Sequence, residues 1–164
     1  MPTNLEALLQ NPLLGEETVT VDGKGRVLFS KKKRDRLGEK FVIALGLKGC
    51  LEALPVPTWQ DMIGEILAAP ALNIGRQEYA GMLARNSDDG LFFDPQGRVV
   101  IPLALRNAGK IAEKDQVVLE GAIDRVRIWN AEEFDEYQKD RDAYGAARTK
   151  EMLRYYDIMK AATP

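Results

Sequence analysis

Residues 22–34, DGKGRVLFSKKKR, and residues 94–106, DPQGRVVIPLALR, are written on one pattern. Asp22 corresponds to Asp94, Gly25 to Gly97, Arg26 to Arg98 and Arg34 to Arg106, each at a separation of 72 residues. A constant separation over four identical pairs marks an internal repeat, so the fold is to be read as two related halves. In each copy an aspartate opens a turn, where its carboxylate can accept from the amides ahead of it. A glycine follows that can take a positive φ. Apolar segments flank both turns, TVTV and VLF in the first copy, LFF and VVI in the second, which predicts two hairpins with Arg26 and Arg98 emerging on the returning strands.

A short helix is expected after each hairpin. Pro102, with its fixed φ, suits the first helical position, and LALRNAG runs on to a stop at Gly109. The first copy has Ser30 at the matching place, a residue that caps a helix through its hydroxyl, and Gly38 marks the end. Farther on, FVIALGLKGCLEALPVPTW matches VVLEGAIDRVRIWNAEEF, with Gly46 against Gly121 and Trp59 against Phe134 after a shift of 75. Each copy therefore reads strand, turn, strand, short helix, strand, glycine-containing turn, strand, longer helix. In the first long helix Trp59, Met62, Ile63, Ile66 and Leu67 recur at helical spacing behind a Thr58 cap, and Pro70 ends it. NIGRQEYAGMLARN predicts a second helical piece. The segment from Glu132 to Lys160 is expected to be helical, with Phe134, Tyr137 and Tyr144 forming a docking stripe and a break at Gly145.

Composition limits the chemistry. The 164 residues are 45% apolar, enough for a modest core, and contain no uninterrupted apolar run of about 18 residues that could span a membrane. The opening MPTNLEALLQNPLLGEE has neither a basic start nor a long apolar block, so it reads as a floppy leader rather than an export signal, and a cytosolic protein is expected. Histidine is absent, which removes the commonest general base and zinc ligand. The single cysteine, Cys50, reads as a small buried hydrophobe. Asp88 and Asp89, in NSDDG, read as turn chemistry rather than as a metal or acid–base pair. Gly23 and Gly25 lack the further glycine of a phosphate-binding loop. The expectation is a protein without catalytic residues, metal or cofactor.

Charge points toward nucleic acid locally, though not overall. The chain carries 23 basic and 25 acidic residues, a formal charge of −2. Between residues 24 and 36, however, stand Lys24, Arg26, Lys31, Lys32, Lys33, Arg34 and Arg36 against Asp35 alone; seven minus one gives +6 in thirteen positions. Such a cluster can neutralise several phosphates. An arginine at a turn can present its fork to guanine O6 and N7, and Gln96, where the first copy has Lys24, can read an adenine edge or fill the turn. Asp22 and Asp94 are expected to build the turns and aim the arginines, since carboxylates facing phosphates would be repelled. Arg34 and Arg106 are expected to be structural, pairing with a turn aspartate or a neighbouring subunit.

The paired D-x-[KQ]-G-R-x3-[PS]-x3-R motifs, the phrase ALGLKGCLEALPVPTW and the closing RVRIWNAEEF resemble the MraZ family over roughly residues 14–138. The resemblance implies an α+β fold, with two tandem AbrB-like swapped-hairpin β-barrel repeats and connecting helices in a pseudo-two-fold protomer. The expected divisions are a leader (1–14), a first repeat (15–73), a helical linker (74–90), a second repeat (91–138) and a helical tail (139–164). It also implies a nucleoid-associated regulator that assembles into a homo-oligomeric ring and binds double-stranded DNA at short G-rich repeats in the promoter of its own operon. On the resemblance the DNA-contacting arginines would be Arg26 and Arg98; the local charge and turn readings add Lys24, Lys31, Lys32, Lys33 and Gln96 as DNA-binding residues, with Asp22, Gly25, Asp94 and Gly97 forming the turns. Two other readings are a ring-forming scaffold without specific DNA binding and an AbrB-like antitoxin. Retention of Gly25 and Arg26 counts against the first, and the fusion of two copies in one chain against the second.

Overall fold

A computed structural model describes residues 2–140 and 146–162, with side-chain burial over residues 4–140 and 149–162. In chain order the elements are α1 (Pro2–Gln10), β1 (Glu16–Thr20), β2 (Arg26–Leu28), α2 (Lys31–Leu37), β3 (Phe41–Leu45), β4 (Leu51–Pro55), α3 (Val56–Ala68) and α4 (Ile74–Arg85). The second half follows with β5 (Ser87–Leu91), β6 (Arg98–Val100), α5 (Leu103–Ala108), β7 (Gln116–Gly121), β8 (Val126–Asn130), α6 (Ala131–Lys139) and α7 (Ala146–Ala161). The order of strands, turns and helices expected for each copy is present in both.

The pairing of the strands is where the local hairpin reading and the structure part. The turns at Asp22 and Asp94 do not close independent hairpin ladders. β1 pairs with β7, and β2 pairs with β6, so each strand flanking the first turn finds its partner in the second copy. β1, β7, β8, β4, β3 and β5 form a six-stranded antiparallel sheet in that order, while β2 and β6 form a separate two-stranded ribbon. Exchanging the copies (β1 with β5, β3 with β7, β4 with β8) reverses the sheet order onto itself. The molecule thus has a pseudo-two-fold relation centred between β8 and β4. Alternation of side chains tells which faces are buried but not which strand covers them; register is chosen by burial across the whole fold.

The core follows from composition. Every residue of β3 and of β4 is buried, the apolar ones as expected for strands covered on both faces, and Glu52 of β4 through its ion pair with Arg125 at 2.8 Å. Val27, Phe29, Val99 and Ile101, from the segments after the two turns, join the same core as Ile43, Leu51, Leu119 and Ile128. A second cluster gathers Cys50, Val118, Trp129, Phe134 and Tyr137, with Trp129 stacked on Tyr137 at a centroid distance of 4.6 Å. Phe134 and Tyr137 therefore pack within the chain. Cys50 is buried, and desolvation raises its thiol pKa well above the usual range. Tyr144 and Gly145 lie outside the described residues.

Local signals explain the helices, with corrections. Ser30 caps α2, its Oγ accepting from the Lys33 N–H at 3.4 Å, and Gly38, at φ +93°, ends it. Pro102 sits one place earlier than expected, as the N-cap residue of α5, with its carbonyl accepting from Arg106 N. It therefore matches Ser30, whose carbonyl accepts from Arg34 N. Thr58 is not a cap: α3 starts behind Pro55, with Pro57 in its first turn, and Thr58 is a buried first-turn residue whose hydroxyl has no hydrogen-bond partner among the described residues. Prolines fix φ in the helical range, so they move the start upstream of the threonine. Leu67, expected within the apolar stripe, is 63% exposed. Asn73 caps α4 through its side chain, and Gly75 lets α4 approach α7 so closely that a Cβ there would lie 2.4 Å from the Tyr155 carbonyl oxygen.

Two further expectations change. Asp88 and Asp89 belong to β5 rather than a turn, with Asp88 opposite Ile43 and Gly90 at φ +72° where the register shifts. β5 is a sheet edge, where exposed carboxylates are tolerated because one side of the strand is unpaired. The segment 1–14 reads in sequence as floppy, yet Pro2–Gln10 are helical and Leu13 is buried in a bridge to Ile123. Arg36 donates to the carbonyl of Pro12, and Lys33 Nζ to that of Leu14 at 3.0 Å, so basic residues of α2 tie this segment down.

Candidate nucleic-acid interface

The two turns are near copies in atomic detail. Asp22 Oδ1 accepts from the backbone N–H groups of Lys24 and Arg26, both at 2.9 Å, and Asp22 Oδ2 accepts from Arg26 Nε at 2.6 Å. Asp94 Oδ1 accepts from Gln96 and Arg98 N–H, both at 2.9 Å, and Asp94 Oδ2 from Arg98 Nε at 3.0 Å. The Arg26 amide leads in holding the Asp22 carboxyl down to about 2, against some desolvation, with help from the Lys24 amide and the Arg26 side chain. The Asp94 pKa is lowered for the same reasons, the Arg98 amide first. Each aspartate thus shapes its turn and fixes one edge of its arginine's guanidinium. The terminal nitrogens lie on the other edge.

Glycine is required at both turns by sterics as well as by φ. Gly25 and Gly97 have φ +76° and +85°. A Cβ on Gly25 would stand 2.7 Å from Cζ of Arg106, and one on Gly97 would stand 2.7 Å from Nε of Arg34. The second arginine of each motif therefore lies across the turn of the other copy. Arg34 Nε donates to the Phe29 carbonyl and Arg106 Nε to that of Ile101, at 3.1 and 2.9 Å. Phe29 N donates to Gly97 O and Ile101 N to Gly25 O, which extends the ribbon on both sides. Arg34 and Arg106 are structural, but their partners are carbonyls and the opposite glycine, not the turn aspartates. The paired motif itself carries the signal: two arginines at a fixed remove from two glycines permit reciprocal packing.

The β2–β6 ribbon brings Arg26 and Arg98 to one surface. Arg26 stands opposite Val100, Val27 opposite Val99 and Leu28 opposite Arg98. Val27 and Val99 point inward and are buried, so Arg26, Leu28, Arg98 and Val100 share the outward face. The arginine side chains retain 26% and 29% of their accessible area. The turns also meet, with Arg98 Nη1 4.0 Å from Asp22 Oδ2. Sequence reasoning does not single out Leu28 and Val100, because their neighbours across the ribbon belong to the other copy.

The remaining residues expected to contact DNA divide. Lys24 and Gln96 are exposed at the turn tips. Lys31 is exposed and paired with Asp35 at 2.8 Å, and Lys32 is exposed. Lys33 is not available: it is 3% exposed and forms an ion pair with Glu17 at 3.0 Å. It occupies the helix face that Leu105 fills in the second copy, which is why a third lysine in a row points inward. Among the described residues, no helix is long and apolar enough to cross a membrane.

Comparison with known proteins gives a consistent picture. The family model described as "MraZ protein, putative antitoxin-like" matches residues 13–76 and 89–154. A protein of Thermoanaerobacter sp. (strain X514) named Transcriptional regulator MraZ is 35% identical over 130 residues, which covers 79% of this chain and 89% of the relative. Proteins of the same name from Limosilactobacillus reuteri (strain DSM 20016) and Lachnoclostridium phytofermentans are 32% identical over 128 residues and 34% over 127. These alignments cover 78% and 77% of this chain, and 88% and 87% of the relatives.

Proposed function

The chain belongs to the MraZ family, and on that premise we propose that it is a sequence-specific DNA-binding transcriptional regulator and not an enzyme. The single observation that carries this reading is the ribbon that presents Arg26 and Arg98 on one outward face, each aimed by its own aspartate. A two-stranded ribbon fits the major groove of B-DNA, and a guanidinium held at Nε has its terminal nitrogens on the edge that can meet guanine O6 and N7. Lys24, Lys31 and Lys32 supply phosphate contacts around the ribbon, and Gln96 stands at the second turn tip to meet a base or a phosphate. Lys33 has no part in this, being enclosed.

The finer features are part of the same reading. The crossed strand pairing supports description as two AbrB-like swapped-hairpin repeats. The exposed apolar residues Leu67, Leu72 and Ile74 along α3, α4 and their junction support self-association into a ring. A ring repeats the ribbon at regular intervals, which suits short G-rich repeats in the promoter of the protein's own operon, and implies a location at the nucleoid. Linked weak sites then gain affinity through effective concentration.

The test is an electrophoretic shift on DNA from upstream of the gene, at increasing salt, with the native protein and with Arg26→Ala and Arg98→Ala. Each variant should lose about 1–3 kcal/mol of specific binding while its oligomer size is unchanged. A native protein that binds this DNA no better than scrambled sequence overturns the reading. Collapse of the oligomer in either variant makes the arginine structural instead.

A further inference from the structure

Solitary exposed aliphatic residues are ordinary on protein surfaces and need no explanation. Leu28 and Val100 are not solitary. They correspond to each other across the 72-residue repeat, are 49% and 51% exposed, and occupy the two places on the outward ribbon face that the arginines leave. Each stands directly across from an arginine of the other copy, Val100 from Arg26 and Leu28 from Arg98. Directly opposed residues have Cβ atoms about 4.5–5.5 Å apart, close enough for both side chains to meet adjacent bases. The face is therefore a two-fold set of one guanidinium and one branched aliphatic, centred on the Val27–Val99 pair.

We propose that Leu28 and Val100 are specificity residues that read the C5-methyl group of thymine beside the guanine met by the opposing arginine. The inference rests on the DNA-binding reading above. In the major groove the thymine methyl is the apolar feature among donors and acceptors, so an aliphatic side chain there gains by contact with thymine. Against cytosine or a purine it would cover polar edges without giving them a partner, and that penalty rejects other sequences. The arginine fixes which groove edge is read, and the aliphatic then restricts its neighbour.

Removal of one methyl from DNA tests this directly. The full-length protein selects its preferred duplex from a random pool, and each thymine in that duplex is replaced singly by uracil, which lacks only the C5-methyl. At one or two thymines adjacent to guanine, uracil should weaken native binding by about fourfold, the factor carried by burial of one methyl group. Leu28→Ala or Val100→Ala should bind thymine and uracil duplexes equally at the affected position. Val100→Thr, which keeps the branched shape and exchanges one methyl for a hydroxyl, should also narrow the difference.

Uracil that is neutral at every position, or a uracil penalty that persists undiminished in both alanine variants, overturns the proposal. So does a change of oligomer size in Leu28→Ala and Val100→Ala, which would place these side chains between subunits. If selection enriches no sequence, or Arg26→Ala and Arg98→Ala bind as tightly as native protein, the DNA-binding reading itself fails and the inference falls with it. Specific, arginine-dependent binding with no methyl effect overturns the inference alone.

Discussion

The first copy places lysines at 31, 32 and 33 where the second places Leu103, Ala104 and Leu105, yet the two short helices occupy equivalent places behind equivalent turns. Of each triplet the third residue is buried, Lys33 and Leu105 alike at 3% exposure, while the first two face outward. Position within the helix decides burial, and residue type decides what burial requires. Leu105 needs only packing. Lys33 needs Glu17 and the Leu14 carbonyl, and by taking them it fastens the chain ahead of β1 to α2.

That comparison can be broken at its centre. Leu105→Ala should cost about 2–4 kcal/mol in chemical denaturation, the usual range for a truncated core leucine. Lys33→Ala should cost about 1–3 kcal/mol, because the Leu14 carbonyl and the half-exposed Glu17 carboxylate are left without their partner. A Lys33→Ala protein as stable as native would show that the ion pair only fills space. A larger loss than in Leu105→Ala would show that the segment before β1 unfolds with it.

The turns are the symmetrical part of the molecule, and the glycines test the symmetry. Gly25→Ala and Gly97→Ala each place a side chain at a positive φ and against the other copy's arginine, so each should destabilise by about 1–3 kcal/mol. Thermal denaturation of the two variants side by side reads this. If only one falls, the reciprocal clasp of Arg106 on Gly25 and Arg34 on Gly97 is not equally tight.

Much of this is legible from the repeat. The turn geometry, the Ser30 cap, the stops at Gly38 and Gly109 and the structural character of Arg34 and Arg106 depend on residues within a few positions of one another, or on their duplication. What is not legible depends on distant contacts. Nothing in TVTV tells β1 to pair with β7. The inward turn of Lys33 is legible only by laying it against Leu105, since a run of like charges otherwise reads as solvated. The outward face shared by Arg26, Val100, Leu28 and Arg98 depends wholly on the pairing of β2 with β6.

The aspartates separate the copies more finely. Both carboxyls are depressed, Asp22 to about 2, and the contact from Arg26 Nε to Asp22, 2.6 Å, is shorter than that from Arg98 Nε to Asp94, 3.0 Å. A carboxyl with a folded pKa below its unfolded value of about 3.9 stabilises fully above that value, and loses its contribution as pH falls through the folded pKa. Stability measured from pH 5 down to about 2 should therefore fall. Asp22→Asn should flatten this acid limb more than Asp94→Asn. Equal flattening would mean that the shorter contact of Arg26 with Asp22 adds nothing.

The smallest expected effect lies in the outward lysines, and it separates positioning from reading. Lys31 is 79% exposed and its partner Asp35 61%, so their ion pair is weak enough to exchange for a phosphate. Lys32 is exposed beside it, whereas Leu103 and Ala104 offer no charge in the second copy. Changing Lys31 and Lys32 together to Gln should weaken binding to all sequences and flatten the plot of log affinity against log salt, by about 0.9 for each phosphate no longer neutralised. Leu103→Lys with Ala104→Lys should steepen the same plot if the copies are equivalent in their approach to DNA. Preference for the specific site over scrambled DNA should be kept in both, because phosphate contacts carry no base information. A Lys31/Lys32 double variant that keeps its salt slope and loses sequence preference would assign base reading to these lysines. An unchanged slope after lysines are added at 103 and 104 would mean that the two copies do not meet DNA alike.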